Sequence, residues 1–455
     1  MKHRMWGGAF SEGPDELAWK FGASLESDAA LMQEEVDVSI AHVAMLAACG
    51  IIPAEQGEAM EKALAEMADG AWLEGADAED IHAAVEAELI RRVGDIGGSV
   101  GTARSRNDQI ATVSRLWTAR RCHEIDSVIE KLQRRIVALA KSYADAPMPG
   151  RTHMQPAQPI TLGYQLLAYF WMLARDRKRF GAARELALAF CPMGSGAIAG
   201  TSLPIDRAQT ATALGFAAPS PSAIDSVSDR DYVGDTLHAC ATLMQHLSRL
   251  AQELVLWSTD GSVRISEGFA TGSSLMPQKR NPDVAELIRG RASQPIGDWV
   301  SFMAMMKGQP LAYNRDMQDD KPPLYNSVRI ALQSATLLDP MLGGAEFNVR
   351  QMEEGAGKGG SVATAIAEEL VRRGIPFREA HERAGEAVRK AEASGRDLCE
   401  LSLPELANLL PGATEQLHRQ LSVRGNTELR DSYGAPARIA EQIAAAESEL
   451  ADNRL

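Results

Sequence analysis

The sequence predicts a mainly α-helical protein with more than one domain. Of its 455 residues, 45% are hydrophobic and only 5% are aromatic, a balance more typical of helical proteins than of β-sandwiches or barrels. Apolar residues recur every three or four positions through several long segments, as they do along one face of a helix. A chain of this length rarely forms a single simple core. We therefore predict an all-α protein with domains at 1–104, 105–355 and 356–455.

The N-terminal domain, 1–104, is predicted to consist of helices joined by turns. Turn signals such as Gly13-Pro14, Pro53, Gly70 and Gly97-Gly98 divide it into short segments. No alternation of apolar and polar residues lasts long enough to predict a sheet.

The central domain, 105–355, is predicted to be a bundle of long helices. Three segments each carry one apolar stripe, at Ile125, Ile129, Leu132, Ile136 and Leu139; at Val233, Leu237, Cys240, Met244, Leu247, Ala251 and Leu254; and at Leu324, Val328, Ala331, Ala335 and Leu338. Long helices with one stripe usually pack side by side. Two interpretations are open: an oligomer formed through the bundle, or a monomer that covers every stripe itself.

The C-terminal domain, 356–455, is predicted to be smaller and built of short helices. The glycine-rich segment 355–360 separates it from the bundle, and Pro376, Pro404, Pro411 and Pro436 divide it further.

Charge and cysteine content exclude several functions. The formal net charge of −14 makes general binding of nucleic acids or anionic membranes unexpected. The five cysteines are widely spaced and include no CxxC pair, which predicts reduced packing residues and no zinc or other metal site. No signal peptide opens the chain and no apolar run approaches ~18 residues, so we expect a soluble cytoplasmic protein.

Two polar clusters occur where helical segments begin. Glu79-Asp80-Ile81-His82 precedes a helical run, and acids in that position are typical of an ordinary helix start. The other interpretation is that this cluster belongs to a functional site. The second cluster contains Arg104 and Arg106. Guanidinium groups beside a helix N-terminus favour carboxylate binding, but an ordinary helix start capped by Asn107 or Asp108 is equally open.

Two polar loops between helices are further candidates. His153 lies between prolines in the segment 150–159. Histidine moves protons readily near neutral pH, although a structural role is the alternative. Tyr313, Gln318 and Lys321 follow Gly308 and Pro310 and belong either to a surface crossing or to the wall of a site. They are candidates for substrate contact.

The glycine-led loop 272–283 is the most concentrated group of reactive side chains. It holds Ser273, Lys279 and Asn281, and Glu286 follows on the next helix. Catalytic groups are often carried by loops held between rigid helices, and a carboxylate such as Glu286 can orient a histidine and raise its basicity. The alternative is a solvated connector.

Together these motifs resemble the fumarase/aspartase superfamily, and within it the argininosuccinate lyase family most closely. The similarity spans essentially the whole chain. It is carried by Trp6-Gly7-Gly8-Ala9-Phe10-Ser11, Glu79-Asp80-Ile81-His82, Arg104-Ser105-Arg106-Asn107-Asp108-Gln109, Thr152-His153-Met154-Gln155, Ser228-Asp229-Arg230-Asp231, Gly272-Ser273-Ser274-Leu275-Met276-Pro277-Gln278-Lys279, Leu311-Ala312-Tyr313-Asn314 and Ile375-Pro376-Phe377-Arg378-Glu379-Ala380-His381.

The resemblance implies three mainly helical domains and a homotetramer whose central helices form a twenty-helix core. Each active site would draw on three chains. The implied reaction is anti β-elimination from argininosuccinate through an aci-carboxylate intermediate, giving fumarate and arginine as a step of arginine biosynthesis. No metal or organic cofactor is expected.

The resemblance also implies roles for the catalytic residues. Ser273 corresponds to the general base, with an alkoxide stabilised by backbone amides of its loop and by Lys279. Lys279 and Asn281 would bind the carboxylate that gains charge. His153, oriented by Glu286, would act on the leaving-group side. The loop is expected to close over bound substrate.

Substrate binding is implied for a second set of residues. Thr152, Asn107 and Arg106 correspond to contacts with the succinyl carboxylate, and the role of His82 is open. The full set is Ser24, His82, Arg104, Arg106, Asn107, Thr152, Tyr313, Gln318 and Lys321.

The sequence departs from the family pattern at a few positions. Gly101-Thr102-Ala103 stands where the family usually has His-Thr-Gly, and Ser222-Ala223-Ile224-Asp225 where it has Asn-Ser-Leu-Asp. Arg280 replaces a lysine, and Arg151 stands where an aromatic residue is common. These changes leave open a related lyase acting on another N-substituted aspartate, such as ethylenediamine-disuccinate. A catalytically silent structural relative, like the delta crystallins, is the alternative outside the enzymes.

Overall fold

The computed structural model describes residues 15–428 and 432–452, which are mainly helical. The all-α prediction is confirmed for this part of the chain. The quoted motif at residues 6–11 lies outside the described residues. In chain order the α-helices are α1 (Glu16–Gly22), α2 (Leu25–Asp28), α3 (Met32–Ala48), α4 (Ala54–Ala65), α5 (Ile81–Val93), α6 (Arg106–Ser142), α7 (Leu162–Leu188), α8 (Arg207–Ala213), α9 (Ala223–Ser226), α10 (Asp231–Thr259), α11 (Asp283–Arg291), α12 (Ser293–Met306), α13 (Lys321–Gly343), α14 (Val349–Ala356), α15 (Thr364–Arg372), α16 (Phe377–Ala393), α17 (Leu403–Leu409), α18 (Glu415–Leu421), α19 (Val423–Glu428) and α20 (Pro436–Asp452).

Short elements connect these helices. Turns of 3-10 helix lie at Ala29–Leu31, Ala71–Leu73, Gly94–Gly101, Glu267–Phe269, Arg315–Asp320 and Leu398–Glu400. The strands form two-stranded pairs: β1 (Pro147–Thr152) with β2 (Gln155–Thr161), β3 (Phe190–Cys191) with β4 (Ala218–Pro219), β5 (Val263–Arg264) with β8 (Glu346–Phe347), and β6 (Thr271–Gly272) with β7 (Arg280–Asn281).

The apolar stripes read from the sequence are buried in the long helices. On α6, Ile125, Ile129, Leu132 and Ile136 are fully buried, whereas Leu139 is half-buried. Every stripe residue of α10 and α13 is buried. Burying a leucine or isoleucine side chain stabilises a fold by about 1.5–3 kcal/mol. These stripes therefore account for much of the apolar surface that the long helices bury. A further long helix, α7, was missed by the sequence prediction.

The chain divides into two compact units. Unit 1 contains the described parts of 1–126, 178–242 and 293–332. Unit 2 contains 127–177, 243–292 and the described parts of 333–455. The three-domain division stays a prediction.

The C-terminal part of unit 2 has its own core. Buried apolar side chains of α15 to α18 form one cluster, including Ile366, Leu370 and Leu406. The buried face of α16 consists of Ala380, Ala384, Ala387 and Ala391. Small side chains at this spacing let neighbouring helices approach closely. No helix in the described part of the chain has both the length and the apolar character needed to cross a membrane.

Candidate active site

One pocket in unit 1 is lined by seven of the predicted substrate-binding residues. The cavity between these side chains is small, about 60 Å³. Ser24, His82, Arg106, Asn107, Tyr313, Gln318 and Lys321 are the seven. Asp28, Asp80, Ile110 and Arg315 complete the lining. Residues from distant parts of the sequence thus converge on one cavity that carries charges of both signs.

The start of α6 places Arg106 and Asn107 at this pocket. The helix begins at Arg106, so Ser105 occupies the cap position, and its hydroxyl oxygen accepts the backbone N–H of Asn107 at 3.2 Å. The carboxylate of Asp108 in return accepts the N–H of Ser105 at 2.8 Å. The expectation that Asn107 or Asp108 caps the helix is therefore wrong: both lie in its first turn, and Ser105 is the cap.

Asp108 also holds a neighbouring turn against this helix start. Its second oxygen accepts the N–H groups of Gly194 and Gly196 at 3.0 and 2.8 Å. Burial raises the pKa of Asp108 to about 6, although these backbone hydrogen bonds oppose the rise. The same turn brings the carbonyl oxygen of Ala197 to the side-chain amide of Asn107, which donates to it at 3.3 Å. The backbone N–H of Asn107 and its side-chain amide are therefore each fixed by a hydrogen bond.

A buried ion cluster fixes Lys321 at the start of α13. Its ammonium donates to Asp320 at 3.3 Å, and Asp320 also accepts from Arg230 at 2.7 Å. Burial disfavours the charged amine, but Asp320 and Asp28 outweigh it, so the pKa of Lys321 lies above its ordinary value. Lys321 is therefore a permanent cation of the pocket at physiological pH.

Opposite charges line the other walls of this pocket. Burial raises the pKa of Asp28 above its usual value, and its carboxylate accepts the Ser24 hydroxyl at 2.5 Å. The second oxygen of Asp28 is buried without a partner among the described residues. Asp80 caps α5 and lies 3.6 Å from the guanidinium of Arg106. The pocket therefore offers both cations and acceptors to a substrate that carries both charges.

Arg104 does not line the pocket. Its guanidinium donates to the hydroxyl of Ser39 at 3.2 Å, and burial lowers its pKa. The role predicted for Arg104 in substrate binding stays a prediction, and its contacts place it behind the pocket wall.

Thr152 and His153 lie in unit 2, on the hairpin of β1 and β2. Thr152 pairs with Gln155, so His153 and Met154 form a two-residue turn. Both turn residues have positive φ, 51° and 63°, a conformation usually taken by Asn-Gly or Gly-Gly. His153 is exposed at the tip. The backbone of the hairpin, rather than side-chain packing, therefore presents the imidazole.

The loop 272–283 is also a hairpin in unit 2. Thr271 pairs with Asn281, and Gly272 pairs with Arg280, across its base. The hydroxyl oxygen of Ser273 accepts the backbone N–H groups of Leu275 at 3.2 Å and Met276 at 3.0 Å. Two amide donors aimed at one serine oxygen stabilise negative charge on it.

The neighbouring predicted residues differ in exposure. Lys279 is exposed, and Asn281 is half-buried at the base of the hairpin. Glu286 is exposed in the first turn of α11 and pairs with Arg289 at 3.5 Å. Within the described residues of this single chain, no contact joins Glu286 to His153. The pairing predicted for them stays a prediction.

Backbone strain is concentrated beside predicted site residues. In the described part of the chain, the non-glycine residues with positive φ are Ala103, His153, Met154 and Ala312. Ala103 precedes Arg104, and Ala312 precedes Tyr313. A left-handed backbone costs a non-glycine residue about 1–2 kcal/mol, and such strain is most often kept at functional sites.

The departures from the family pattern lie away from the pocket lining. Ser222 caps α9 by accepting the N–H of Asp225 at 3.3 Å, a role that asparagine can also fill. Gly101 has open space where a Cβ would be. Ala103, by contrast, has a φ of 60° where the family's glycine would be unstrained. Ala223 is half-buried at the first position of α9. The four changes thus affect local backbone more than the charged groups of the pocket.

The sequence prediction missed Asp28, Arg315 and Glu35. Asp28 lies four residues after Ser24, a spacing that places both on one side of a helical turn. Arg315 donates to Glu79 at 2.8 Å and to the carbonyl oxygen of Gly22 at 2.6 Å. Glu35 is one of several polar residues of α3, and its partners His82 and Gln109 come from other helices, so no local pattern in the sequence identified it.

Comparison with known proteins identifies the family. Residues 8–297 match the family described as Lyase, and residues 360–428 match the family described as Argininosuccinate lyase C-terminal. Argininosuccinate lyase from Carboxydothermus hydrogenoformans is 44% identical, and the match covers 98% of this chain and 100% of that protein. Argininosuccinate lyase from Methylibium petroleiphilum is 42% identical, with 97% and 96% covered.

Solved structures agree in fold. EDDS lyase in complex with formate superposes with a TM-score of 0.84 at 28% identity, over 96% of this chain and 89% of that one. A fumarate lyase:delta crystallin from Brucella melitensis bound to cobalt gives 0.75 at 20% identity, over 92% of each chain, a likeness of fold alone. Given the two matched regions and the relatives at 42–44% identity over nearly the full length, this chain belongs to the argininosuccinate lyase family.

Proposed function

We propose that this protein is a carbon–nitrogen lyase that cleaves argininosuccinate to L-arginine and fumarate by anti β-elimination. The observation that carries the proposal is the similarity to argininosuccinate lyases at 42–44% identity over nearly the whole chain. EDDS lyase is more distant, at 28% identity. The pocket in unit 1 supports the proposal because its mixture of cations and acceptors suits a substrate with carboxylates and a guanidinium group.

Ser273 is the proposed general base. The N–H groups of Leu275 and Met276 point at its oxygen and would stabilise the alkoxide that takes the Cβ proton. In enzymes, one such donor is worth roughly 3–4 kcal/mol. This arrangement makes a serine hydroxyl, which is otherwise a weak base, suitable for removing a weakly acidic C–H proton.

Lys279 and Asn281 are proposed to stabilise the intermediate. When the Cβ proton leaves, its electron pair spreads onto the adjacent carboxylate, and these residues would bind the added charge. Lys279 lies exposed on its loop, and closure of the loop over the site would bring it to the substrate.

Collapse of the intermediate completes the elimination. The electron pair forms the C=C bond of fumarate, the C–N bond breaks, and the departing nitrogen takes up a proton on the side assigned to His153. Thr152, Asn107 and Arg106 would hold the succinyl carboxylate. Contacts with the remaining groups are proposed for Ser24, His82, Tyr313, Gln318 and Lys321, which line the same pocket. For Arg104, which lies behind the pocket wall, we propose a part in substrate binding through its charge.

We further propose a homotetramer with active sites shared between chains. One chain leaves His153 and Glu286 without mutual contact, so a neighbouring chain could supply the partner. A second observation supports association: Ile296, Val300 and Met303 form an exposed apolar stripe along α12. Apolar stripes at this spacing usually pack against another helix. In the full assembly these stripes would join the twenty-helix core.

We place the reaction in the cytoplasm, as a step that forms arginine. All five cysteines are free thiols, and Cys122, Cys191 and Cys240 are buried, as is usual in a reducing compartment.

The test is fumarate release, followed by ultraviolet absorbance, from argininosuccinate and from ethylenediamine-disuccinate at matched concentrations. We expect rapid release from the first, with one arginine formed for each fumarate. Release from the second substrate alone would assign the protein to the other specificity. No release from either would favour a silent structural relative.

A further inference from the structure

A fully buried carboxylate lies directly behind the wall of the unit 1 pocket. Glu35 on α3 is 0% exposed. One of its oxygens accepts the side-chain amide of Gln109 at 2.5 Å and the hydroxyl of Ser39 at 3.1 Å. The other lies 2.6 Å from Nδ1 of His82. Burying a carboxylate costs several kcal/mol unless it is well paired, so each of these partners offsets a substantial cost.

The contact with Glu35 determines which nitrogen of His82 faces the pocket. A carboxylate can only accept a hydrogen bond, so Nδ1 must carry the proton. The other nitrogen, Nε2, is buried and has no hydrogen-bond partner among the described residues, and His82 lines the pocket. A buried polar atom without a partner destabilises the fold. A bound ligand would supply the missing partner.

We propose that Glu35 is a positioning residue for the lyase reaction, which holds the proton on Nδ1 of His82 so that Nε2 contacts the bound N-substituted aspartate. In the neutral ring Nε2 accepts a hydrogen bond from substrate, and in the imidazolium it donates one. In both cases the hydrogen bond from Nδ1 to Glu35 leaves Nε2 as the nitrogen that contacts the substrate. The inference takes its substrate from the proposed function.

The cationic side chains around Glu35 favour its ionised form, which is the form that accepts the hydrogen bond from His82. Burial raises the pKa of Glu35, but His82, Arg104 and Arg106 outweigh it, and the pKa lies below the ordinary value. Ser39, which donates to Glu35, also accepts from Arg104. The network therefore connects Arg104, just before α6, to His82 through one ionised carboxylate.

Glu34 provides a matched control on the same helix. It is 2% exposed, and its carboxylate accepts from Arg120 at 3.0 Å. Glu34→Gln and Glu35→Gln each remove a buried charge, at adjacent positions of α3, but only the second replaces the carboxylate that accepts from Nδ1 of His82. A loss that is merely structural should appear in both variants.

The first measurement is steady-state fumarate release from argininosuccinate. We expect Glu35→Gln to lower kcat/KM by at least about tenfold, which corresponds to about 1.4 kcal/mol, and Glu34→Gln to change it by less than about twofold. His82→Gln should cause a loss similar to that of Glu35→Gln. The double variant should be no worse than either single variant, because residues that act as one unit are not additive. Equal losses in the two glutamate variants, or additive losses in the double variant, would overturn the proposal.

The second measurement does not depend on catalysis. Deuterium exchange at the Cε1–H of His82, followed by mass spectrometry of its peptide in the intact protein, reports the electronic state of the ring. The exchange rate should change in Glu35→Gln and stay at the wild-type value in Glu34→Gln. An unchanged rate in Glu35→Gln would refute the coupling. If wild-type protein releases no fumarate from any N-substituted aspartate, the proposed function fails, yet this measurement still decides whether Glu35 controls His82.

Discussion

Acidification should destabilise the folded chain through His42, a buried histidine on α3. Its side chain is 1% exposed, and its Nε2–H donates to the carbonyl oxygen of Thr102 at 2.8 Å. Burial, together with the charge of Arg104, lowers the pKa of His42 from 6.5 to about 4. The native state therefore holds the ring neutral at a pH where the unfolded chain protonates it.

The sign and size of the effect follow from linkage. Above pH 6.5 the ring is neutral in both states, and the stabilisation is complete. Between pH 6.5 and about 4 the unfolded state binds a proton that the native state does not, so stability falls as pH falls. At 1.36 kcal/mol for each tenfold change in proton affinity, the total loss is about 3 kcal/mol. Below pH 4 both states are protonated, and His42 contributes no further slope.

Urea unfolding of the wild type and of His42→Gln measures this contribution. The glutamine amide can still donate to Thr102 but does not titrate, so the difference between the two proteins isolates His42 from other acid-sensitive groups. Protein concentration must be equal at every pH, because association adds to apparent stability. The difference in unfolding free energy should shrink by about 3 kcal/mol between pH 7 and pH 4. A constant difference across that range would refute the reasoning.

Three further outcomes are expected. Ser273→Ala should lower kcat by at least about 10³-fold with an unchanged Tm, and a variant retaining a tenth of the wild-type kcat would exclude Ser273 as the base. Lys279→Met should lower kcat/KM by about 10²-fold while thermal unfolding shifts little, since the side chain is exposed; normal activity with a large fall in Tm would contradict its catalytic role. Ala103→Gly should raise the free energy of unfolding by up to about 1 kcal/mol, because relief of the left-handed alanine exceeds the entropy cost of glycine, and chemical denaturation showing a loss would disprove that strain.

The helical framework could be predicted from sequence because burial follows periodicity. The stripes of α10 and α13 repeat every three or four residues, and a residue at that spacing returns to the same face of a helix. Such a signal is local and does not depend on which element covers the stripe. The same logic could not locate Ser105 as the cap of α6. Asp108 and Asn107 are equally good capping types, and the choice depends on the turn at 194–196, about ninety residues away along the chain.

The sequence could predict which residues belong to the site, but not which residues contact one another there. Motif resemblance selected Arg106, Asn107 and Lys321, which line one pocket. It could not select Glu35, whose partners come from α5 and α6 and meet only in the folded chain. Spacing also gave no indication that His153 lies in a tight turn with positive φ, since neither His nor Met is typical of such a turn.

The pairing of β1 with β2 on either side of the His153-Met154 turn restricts how this hairpin can change length during evolution. Successive strand residues face opposite sides, so inserting or deleting one residue in either strand would reverse the face on which Thr152 lies. One irregularity is already present between Pro149 and Arg151, at Gly150, where a Cβ would lie 2.7 Å from the carbonyl oxygen of Gln158. Single-residue indels here should therefore be selected against, and paired changes, one on each strand, should be the tolerated class among natural variants.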